Sequence, residues 1–84
     1  MRIGIVGTGT MGAGIAQVAA LAGHDVFIYD AQAEAGQQAL LRIDQNLRKE
    51  IEKGRLSSSV LATTLQHLCK VDQLDKLSAC DWII

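Results

Sequence analysis

The feature that most constrains this chain is an apolar run that leads into three glycines with the spacing G-x-G-x-x-G. The run Ile3–Val6 is followed by Gly7, Gly9 and Gly12, after which the sequence becomes rich in alanine. This order is typical of a strand, a tight turn and a helix. The first glycine allows the turn, the second lets backbone approach a pyrophosphate, and the third lets the helix pack closely on the sheet.

The start of the predicted helix is suited to binding an anion. The backbone N–H groups of its first turn have no partners within the helix, and the helix dipole adds positive potential. Three glycines alone are weak evidence, but a second apolar stretch, Asp25–Tyr29, leads into Asp30. An acid about 20 residues beyond the glycines is typical of sites that bind the ribose hydroxyls of a dinucleotide. The predicted dinucleotide site consists of Gly7, Gly9, Thr10, Met11, Gly12 and Asp30.

The cofactor that this site favours is NAD. The Asp30 carboxylate can accept hydrogen bonds from both ribose hydroxyls, but it would repel the 2′-phosphate of NADP as a like charge.

The rest of the chain continues the alternation of strands and helices. Strands are predicted over 2–6, 25–29, 67–71 and 81–84, and helices over about 10–22, 31–54 and 58–67, with a short helical turn over 73–78. Gly23 and Gly54 are expected to end the first two helices. The pattern predicts an α/β fold, namely an incomplete Rossmann-type doubly wound parallel sheet with a helical hairpin between the second and third strands.

The first helix carries two further expectations. Ile15, Val18, Ala19 and Ala22 recur at spacings of three and four, so they are expected to face the sheet. Gly14 lies near the start of the same helix, where a glycine costs about 1 kcal/mol relative to alanine. We therefore expect a close backbone contact at Gly14.

Composition limits the classes of partner. The chain has 84 residues, of which 49% are hydrophobic, and this indicates one globular unit. Its net charge of −1 gives no positive electrostatic field that would attract nucleic acid or an anionic membrane. No apolar run approaches the length of about 20 residues that spans a bilayer, and the first strand leaves no room for a signal peptide, so we expect a cytoplasmic protein. Cys69 and Cys80 are expected to be free buried thiols, and nothing in the sequence suggests a metal site.

The run from Gly7 through Gly23-His24 to Tyr29-Asp30 resembles the N-terminal NAD-binding domain of the 3-hydroxyacyl-CoA dehydrogenases. The resemblance continues through Asn46-Leu47 and the helix end Glu52-Lys53-Gly54-Arg55-Leu56 to the final Ala-Cys-Asp-Trp-Ile-Ile segment. It implies a homodimeric enzyme that oxidises the 3-hydroxyl of an acyl-CoA to a ketone by hydride transfer to NAD.

The same resemblance implies that the catalytic residues lie outside this chain. The family's catalytic histidine, its glutamate partner and the helical substrate and dimerisation domain all lie beyond Ile84, and neither His24 nor His67 occupies a matching position. The 84 residues alone are therefore expected to be inactive. The family's coenzyme A contacts match Asn46 and Lys53, which lie on one helix face because seven residues make nearly two turns.

Two other functions remain open from the sequence. A non-catalytic NAD-binding module would keep Gly7, Gly9, Gly12 and Asp30 without a substrate domain. A flavin-binding Rossmann domain would use the same phosphate turn.

Overall fold

The sheet is parallel and has four strands. The computed structural model describes residues 1–7 and 9–84, apart from the side chain of Thr10. Its strands are β1 (Arg2–Val6), β2 (Asp25–Tyr29), β3 (Leu68–Val71) and β4 (Trp82–Ile83). They are ordered β3-β2-β1-β4 and are all parallel, which confirms the predicted sheet. The chain adds β2 and β3 on one side of β1 and then adds β4 on the other side. The carboxyl ends of β1 and β4 therefore form a topological switch point.

Helices cover the two faces of the sheet unequally. The helices α1 (Thr10–Leu21), α2 (Ala33–Glu52) and α3 (Ser58–Gln66) pack against one another on one face, and a 3₁₀ helix (Leu74–Ala79) precedes β4 on the other face. The predicted helical hairpin between β2 and β3 is confirmed. Within residues 1–7 and 9–84, no helix has both the length and the hydropathy needed to span a bilayer.

Glycines end the first two helices as predicted. Gly23 and Gly54 have φ angles of 93° and 75°, which lie in the left-handed region that glycine adopts without strain. The second helix starts at Ala33 rather than at residue 31. The reason is a turn before it, in which the backbone N–H of Gln32 donates a hydrogen bond of 2.8 Å to Oδ1 of Asp30.

The predicted sheet-facing side of α1 is wrong in part. The residues of α1 that are buried are alanines, at positions 13, 16, 19 and 20, whereas Val18 is 68% exposed and Ala22 is also exposed. Small side chains let a helix approach its neighbours closely. The alanine face therefore lies against the sheet, Ile15 is half-buried against the core as expected, and Met11, Val18 and Leu21 are exposed.

The main hydrophobic core lies between this alanine face and the strands. Ile5, Val26 and Ile28 contribute from the sheet, and Ile43 and Leu47 contribute from α2. Each of these five side chains is at most 1% exposed. Burying such a side chain stabilises a fold by about 1.5–3 kcal/mol. These contacts therefore hold in place the glycine turn that follows β1 and the end of β2.

The opposite face of the sheet is covered by the 3₁₀ helix. A Cβ built on Gly4 would lie 3.2 Å from Sγ of Cys80 and 3.3 Å from Cδ2 of Leu77, so the glycine lets both side chains pack on β1. Burial raises the pKa of the Cys80 thiol. Both cysteines are free as predicted, but neither is fully buried, because Cys69 on the edge strand β3 is exposed and Cys80 is half-buried.

A hydrogen-bonded pair of His67 and Asp25 at the amino-terminal edge of the sheet makes the stability of the fold depend on pH. Nδ1 of His67 lies 2.9 Å from Oδ1 of Asp25, and this hydrogen bond lowers the pKa of the Asp25 carboxyl. A lowered pKa contributes stability that is present above about pH 4 and is lost as the pH falls through the depressed value. We expect the difference in melting temperature between wild type and Asp25→Asn to shrink as the pH is lowered from 6 to 3.

Thermal melting at low salt over this pH range tests the prediction. Asp72, whose pKa is also lowered by a hydrogen bond from Lys76, stays in both proteins and cancels in the difference. A difference in melting temperature that stays constant down to pH 3 would contradict the prediction.

Candidate functional site

The glycine turn forms the centre of the candidate site. Gly7 follows β1 with a φ angle of 88°, and its N–H donates a hydrogen bond of 2.9 Å to the carbonyl oxygen of Tyr29. Gly9 is exposed and extended and precedes the first residue of α1 without providing a side-chain cap. A Cβ built on Gly9 would have no described atom within 4 Å beyond its two chain neighbours. The turn therefore leaves open space directly in front of the first N–H groups of α1, where an anion is stabilised.

Gly12 and Gly14 have different surroundings. A Cβ built on Gly12 would overlap the carbonyl oxygen of Gly7 and would lie 3.4 Å from Cγ2 of Ile5. Gly12 is thus needed for the helix to pack against the turn and the first strand. The close contact expected at Gly14 is wrong, because a Cβ there has no described atom within 4 Å. Gly14 faces outward on α1, whereas Gly12 faces the turn.

Asp30 lies beside the turn. The last residue pair of β1 and β2 is Val6 with Tyr29, so Gly7 and Asp30 both directly follow neighbouring strand ends. The half-buried Asp30 carboxylate is oriented by the hydrogen bond from Gln32 described above. A carboxylate accepts several hydrogen bonds at once, and ribose hydroxyls are donors that suit it.

The structure therefore brings the predicted cofactor residues together at one edge of the sheet. Gly7, Gly9, Gly12 and Asp30 are placed there, as are the backbones of Thr10 and Met11. The side chain of Thr10 and all of Thr8 lie outside the described residues. Which of these residues contact a cofactor stays a prediction.

The cleft at the turn also contains residues that the sequence did not indicate. It has a volume of about 370 Å³, and its lining includes the side chains of Val6, Ile15 and Ile84 beside the glycines. Ile84 reaches the cleft because β4 pairs with β1, and the N–H of Val6 donates to the carbonyl oxygen of Ile84 at 2.9 Å. The one available signal was the switch-point rule, which predicts that the strand beside β1 borders the ligand crevice.

The two predicted coenzyme A contacts lie on α2 and beyond its end. Asn46 and Lys53 are both exposed, and together with Arg42 and Lys49 they recur at spacings of four, three and four. We call these four residues the basic stripe. Nδ2 of Asn46 also donates a hydrogen bond of 3.4 Å to Oε1 of Gln17, which places the stripe beside α1.

Two carboxylates of α2 form ion pairs with arginines that lie outside the basic stripe. Asp44 pairs with Arg48 at 3.0 Å, and Glu50 pairs with Arg55 at 3.4 Å. Among the described residues, no ion pair includes a residue of the stripe. Three cations on one exposed helix face are suited to a ligand with several phosphates.

Both histidines lie at the edge of the sheet opposite the glycine turn. His24 precedes β2, and His67 pairs with Asp25, the first residue of β2. The five residues of β2 separate that edge from Asp30 by roughly 13 Å or more. Neither histidine is within hydrogen-bond reach of a substrate held at the cleft, as a general base must be.

The described residues also contain no group of three or more His, Cys, Asp or Glu side chains arranged to hold a metal ion.

Comparison with known proteins gives one consistent result. The family described as "3-hydroxyacyl-CoA dehydrogenase, NAD binding domain" matches residues 2–84. The chain is 40% identical to a 3-hydroxyadipyl-CoA dehydrogenase of Escherichia coli over 98% of its length, and 35% identical to a 3-hydroxybutyryl-CoA dehydrogenase of Bradyrhizobium diazoefficiens over 99%. It spans only 17% and 28% of the lengths of these two relatives.

Solved structures agree with this result. A 3-hydroxybutyryl-CoA dehydrogenase from Escherichia coli superposes with a TM-score of 0.95 at 38% identity, covering 99% of this chain and 18% of the other. An (S)-3-hydroxybutyryl-CoA dehydrogenase from Ralstonia eutropha gives 0.93 at 34% identity, covering 98% of this chain and 29% of the other.

Proposed function

This chain belongs to the 3-hydroxyacyl-CoA dehydrogenase family as its NAD-binding domain, and from that premise we propose that the whole protein oxidises the 3-hydroxyl of a 3-hydroxyacyl-CoA to a ketone. NAD, when bound, supplies the hydride acceptor. The observation that carries the proposal is the placement of Gly9 and Asp30 beyond adjacent strand ends, with open space in front of the first turn of α1.

The residues of this chain bind and orient the cofactor. The N–H groups at the start of α1 hold the pyrophosphate, since they point into the space that Gly9 leaves open. The Asp30 carboxylate accepts hydrogen bonds from the adenosine ribose, and its charge disfavours a 2′-phosphate. Ile84 and Val6 close one side of the cleft with apolar surface.

The general base of the reaction comes from a part of the protein outside these 84 residues. His24 and His67 are too far from the cleft, as their position at the opposite edge of the sheet indicates. We expect that this segment alone does not turn over a 3-hydroxyacyl-CoA, and that a substrate and dimerisation domain follows it in the whole protein.

An assay of the whole protein tests the proposed activity. Purified protein is mixed with NAD and 3-hydroxybutyryl-CoA or 3-hydroxyadipyl-CoA, and the absorbance of the reduced cofactor is followed. NAD-dependent turnover of either thioester is the expected result. Tight NAD binding without turnover of any 3-hydroxyacyl-CoA would instead indicate a non-catalytic NAD-binding module, and binding of a flavin in place of NAD would indicate a flavoprotein.

Lys53→Ala in the whole protein is expected to raise KM for the acyl-CoA about fivefold at low salt and to leave KM for NAD unchanged. The reason is that the ammonium group at the end of α2 pairs with a coenzyme A phosphate, and one such charge-assisted contact contributes about 1 kcal/mol. Asn46 supports the same ligand through its side-chain amide.

The salt dependence of KM separates this role from a merely solvated lysine. The increase in KM should shrink at high ionic strength, because salt screens exposed charges. Lys76→Ala is the matched control, since Lys76 is exposed but pairs with Asp72 at 2.7 Å away from the stripe. Equal KM values for Lys53→Ala and wild type at low ionic strength would remove Lys53 from the substrate site.

We also propose that the whole protein is a cytoplasmic homodimer. The free thiols of Cys69 and Cys80 support a reducing compartment, and the family resemblance supports the dimer. Cell fractionation and light scattering of the purified protein test the two statements separately.

A further inference from the structure

Met11 places a thioether at the mouth of the cofactor cleft. It is the second residue of α1, and its side chain is 79% exposed. It lines the cleft together with Val6, Ile15 and Ile84, whose side chains form an apolar wall beside the glycine turn. The sulfur is therefore accessible to solvent and lies next to the space in front of the first N–H groups of α1.

The core of the chain does not account for a large apolar side chain at position 11. The sheet-facing side of α1 is buried through its alanines, whereas Met11 lies among the exposed residues. An exposed apolar side chain contributes little to stability, but one that a ligand covers adds buried apolar area to binding. Methionine is flexible enough to fit an irregular ligand surface. Contact with a bound dinucleotide is the role that this position supports.

Methionine undergoes a reaction that the other apolar residues of the cleft do not. A peroxide transfers one oxygen atom to the thioether sulfur, and the sulfur is oxidised to a sulfoxide while the O–O bond breaks and water leaves. Sulfoxide reductases reverse the change, because two thiols supply the electrons, form a disulfide and release the oxygen as water. Oxidation thus replaces a flexible apolar side chain with a polar one.

We propose that Met11 is a reversible oxidation site that switches off NAD binding when a peroxide reacts with it. This inference rests on the proposed function, because it concerns the regulation of the same cofactor site. The sulfoxide oxygen carries partial negative charge and would repel the pyrophosphate, and burying it against Val6 and Ile84 beneath a ligand is unfavourable. Bound NAD in turn covers the sulfur, so the cofactor-free protein is the form that peroxide oxidises.

The first part of the test treats the whole protein with hydrogen peroxide, with and without saturating NAD, and maps the oxidised peptides by mass spectrometry. Without NAD, the peptide that contains Met11 should gain one oxygen atom, and NAD should slow this gain. Met1 is an internal control, because it is 61% exposed and lies at the opposite edge of the sheet, where its carbonyl oxygen accepts the N–H of Asp25. Its oxidation should be the same with and without NAD.

The second part measures NADH affinity by fluorescence after the peroxide has been removed. Oxidised wild type should bind NADH about tenfold more weakly than untreated wild type, and sulfoxide reductase should restore the affinity. Met11→Leu is the matched control, since leucine is similar in volume but has no sulfur. Its affinity before treatment serves as its own reference, and peroxide should not change it, although Cys69 and Cys80 are still present.

Met11→Gln imitates the sulfoxide without any oxidant. Glutamine is polar and similar in length, so this variant should bind NADH about tenfold more weakly than wild type. Because position 11 is exposed, its melting temperature should stay close to that of wild type. A weaker affinity in a folded variant thus reports on the ligand and not on the fold.

Complete oxidation of Met11 with unchanged NADH affinity would overturn the switch and leave the proposed function standing. A Met11→Leu protein that loses affinity after peroxide as wild type does would also overturn it, because the responsible group would then be another residue. Oxidation of Met11 at equal rates with and without NAD would show that the cofactor does not cover the sulfur, which contradicts the proposal. Untreated wild type that fails to bind NADH would defeat the proposed function itself, and the switch with it.

Discussion

Gly9→Val is expected to weaken NAD binding by about a hundredfold or more while leaving the fold intact, because a side chain there occupies the space of the pyrophosphate. Gly9 has φ and ψ angles of −63° and −177°, which valine adopts without strain. Its Cβ would meet no atom of the described residues within 4 Å, apart from its chain neighbours. The loss of stability should therefore stay within about 1 kcal/mol, the usual effect of a poor helix cap.

Titration of the purified whole protein with NADH, followed by fluorescence, measures the loss, and thermal melting checks the fold. Gly12→Val is the informative contrast. There the added side chain would overlap the carbonyl oxygen of Gly7, so this variant should unfold at a clearly lower temperature than Gly9→Val. A folded Gly9→Val protein that binds NADH as tightly as wild type would show that the dinucleotide does not use this turn.

Wild type is expected to bind NAD at least about thirtyfold more tightly than NADP, and Asp30→Ala to remove most of this preference. Two effects combine at Asp30. The carboxylate accepts hydrogen bonds from the ribose hydroxyls of NAD, and it repels the 2′-phosphate of NADP. Together these effects correspond to about 2 kcal/mol or more, which is roughly thirtyfold in affinity.

Asp30→Asn separates the charge of Asp30 from its structural role. Oδ1 of Asp30 accepts the N–H of Gln32 before α2, and asparagine keeps an oxygen for that hydrogen bond. Asp30→Asn should therefore melt close to wild type but bind NADP better relative to NAD. Equal affinity of wild type for the two cofactors would contradict the role assigned to the carboxylate.

The strands and helices were predictable because local patterns agree with the fold. The glycines that end α1 and α2 do so at the expected positions, and each strand lies within two residues of its predicted range. The sheet-facing side of α1 was not predictable from spacing. Apolar residues occur nearly all round this helix, so periodicity alone does not decide which of them are buried. Close packing on the strands selected the alanines, and this left Val18 outside.

The residues of the candidate site were likewise predictable only in part. The glycine turn and Asp30 were predictable because their chemistry depends on local spacing and on the ends of neighbouring strands. The contributions of Ile84 to the cleft and of Gln17 to the basic stripe depend on contacts between elements far apart in sequence. The open surroundings of Gly14 likewise depend on how α1 packs, which spacing alone does not specify.

The most direct test of the central claim is a crystal structure of the whole protein with NAD. We predict that pyrophosphate oxygens lie about 2.7–3.2 Å from backbone N–H donors in the turn and first helical residues between Gly9 and Gly12, and that the adenosine ribose hydroxyls lie at similar distances from the Asp30 carboxylate. A dinucleotide bound away from this turn, or one whose ribose does not contact Asp30, would contradict the account.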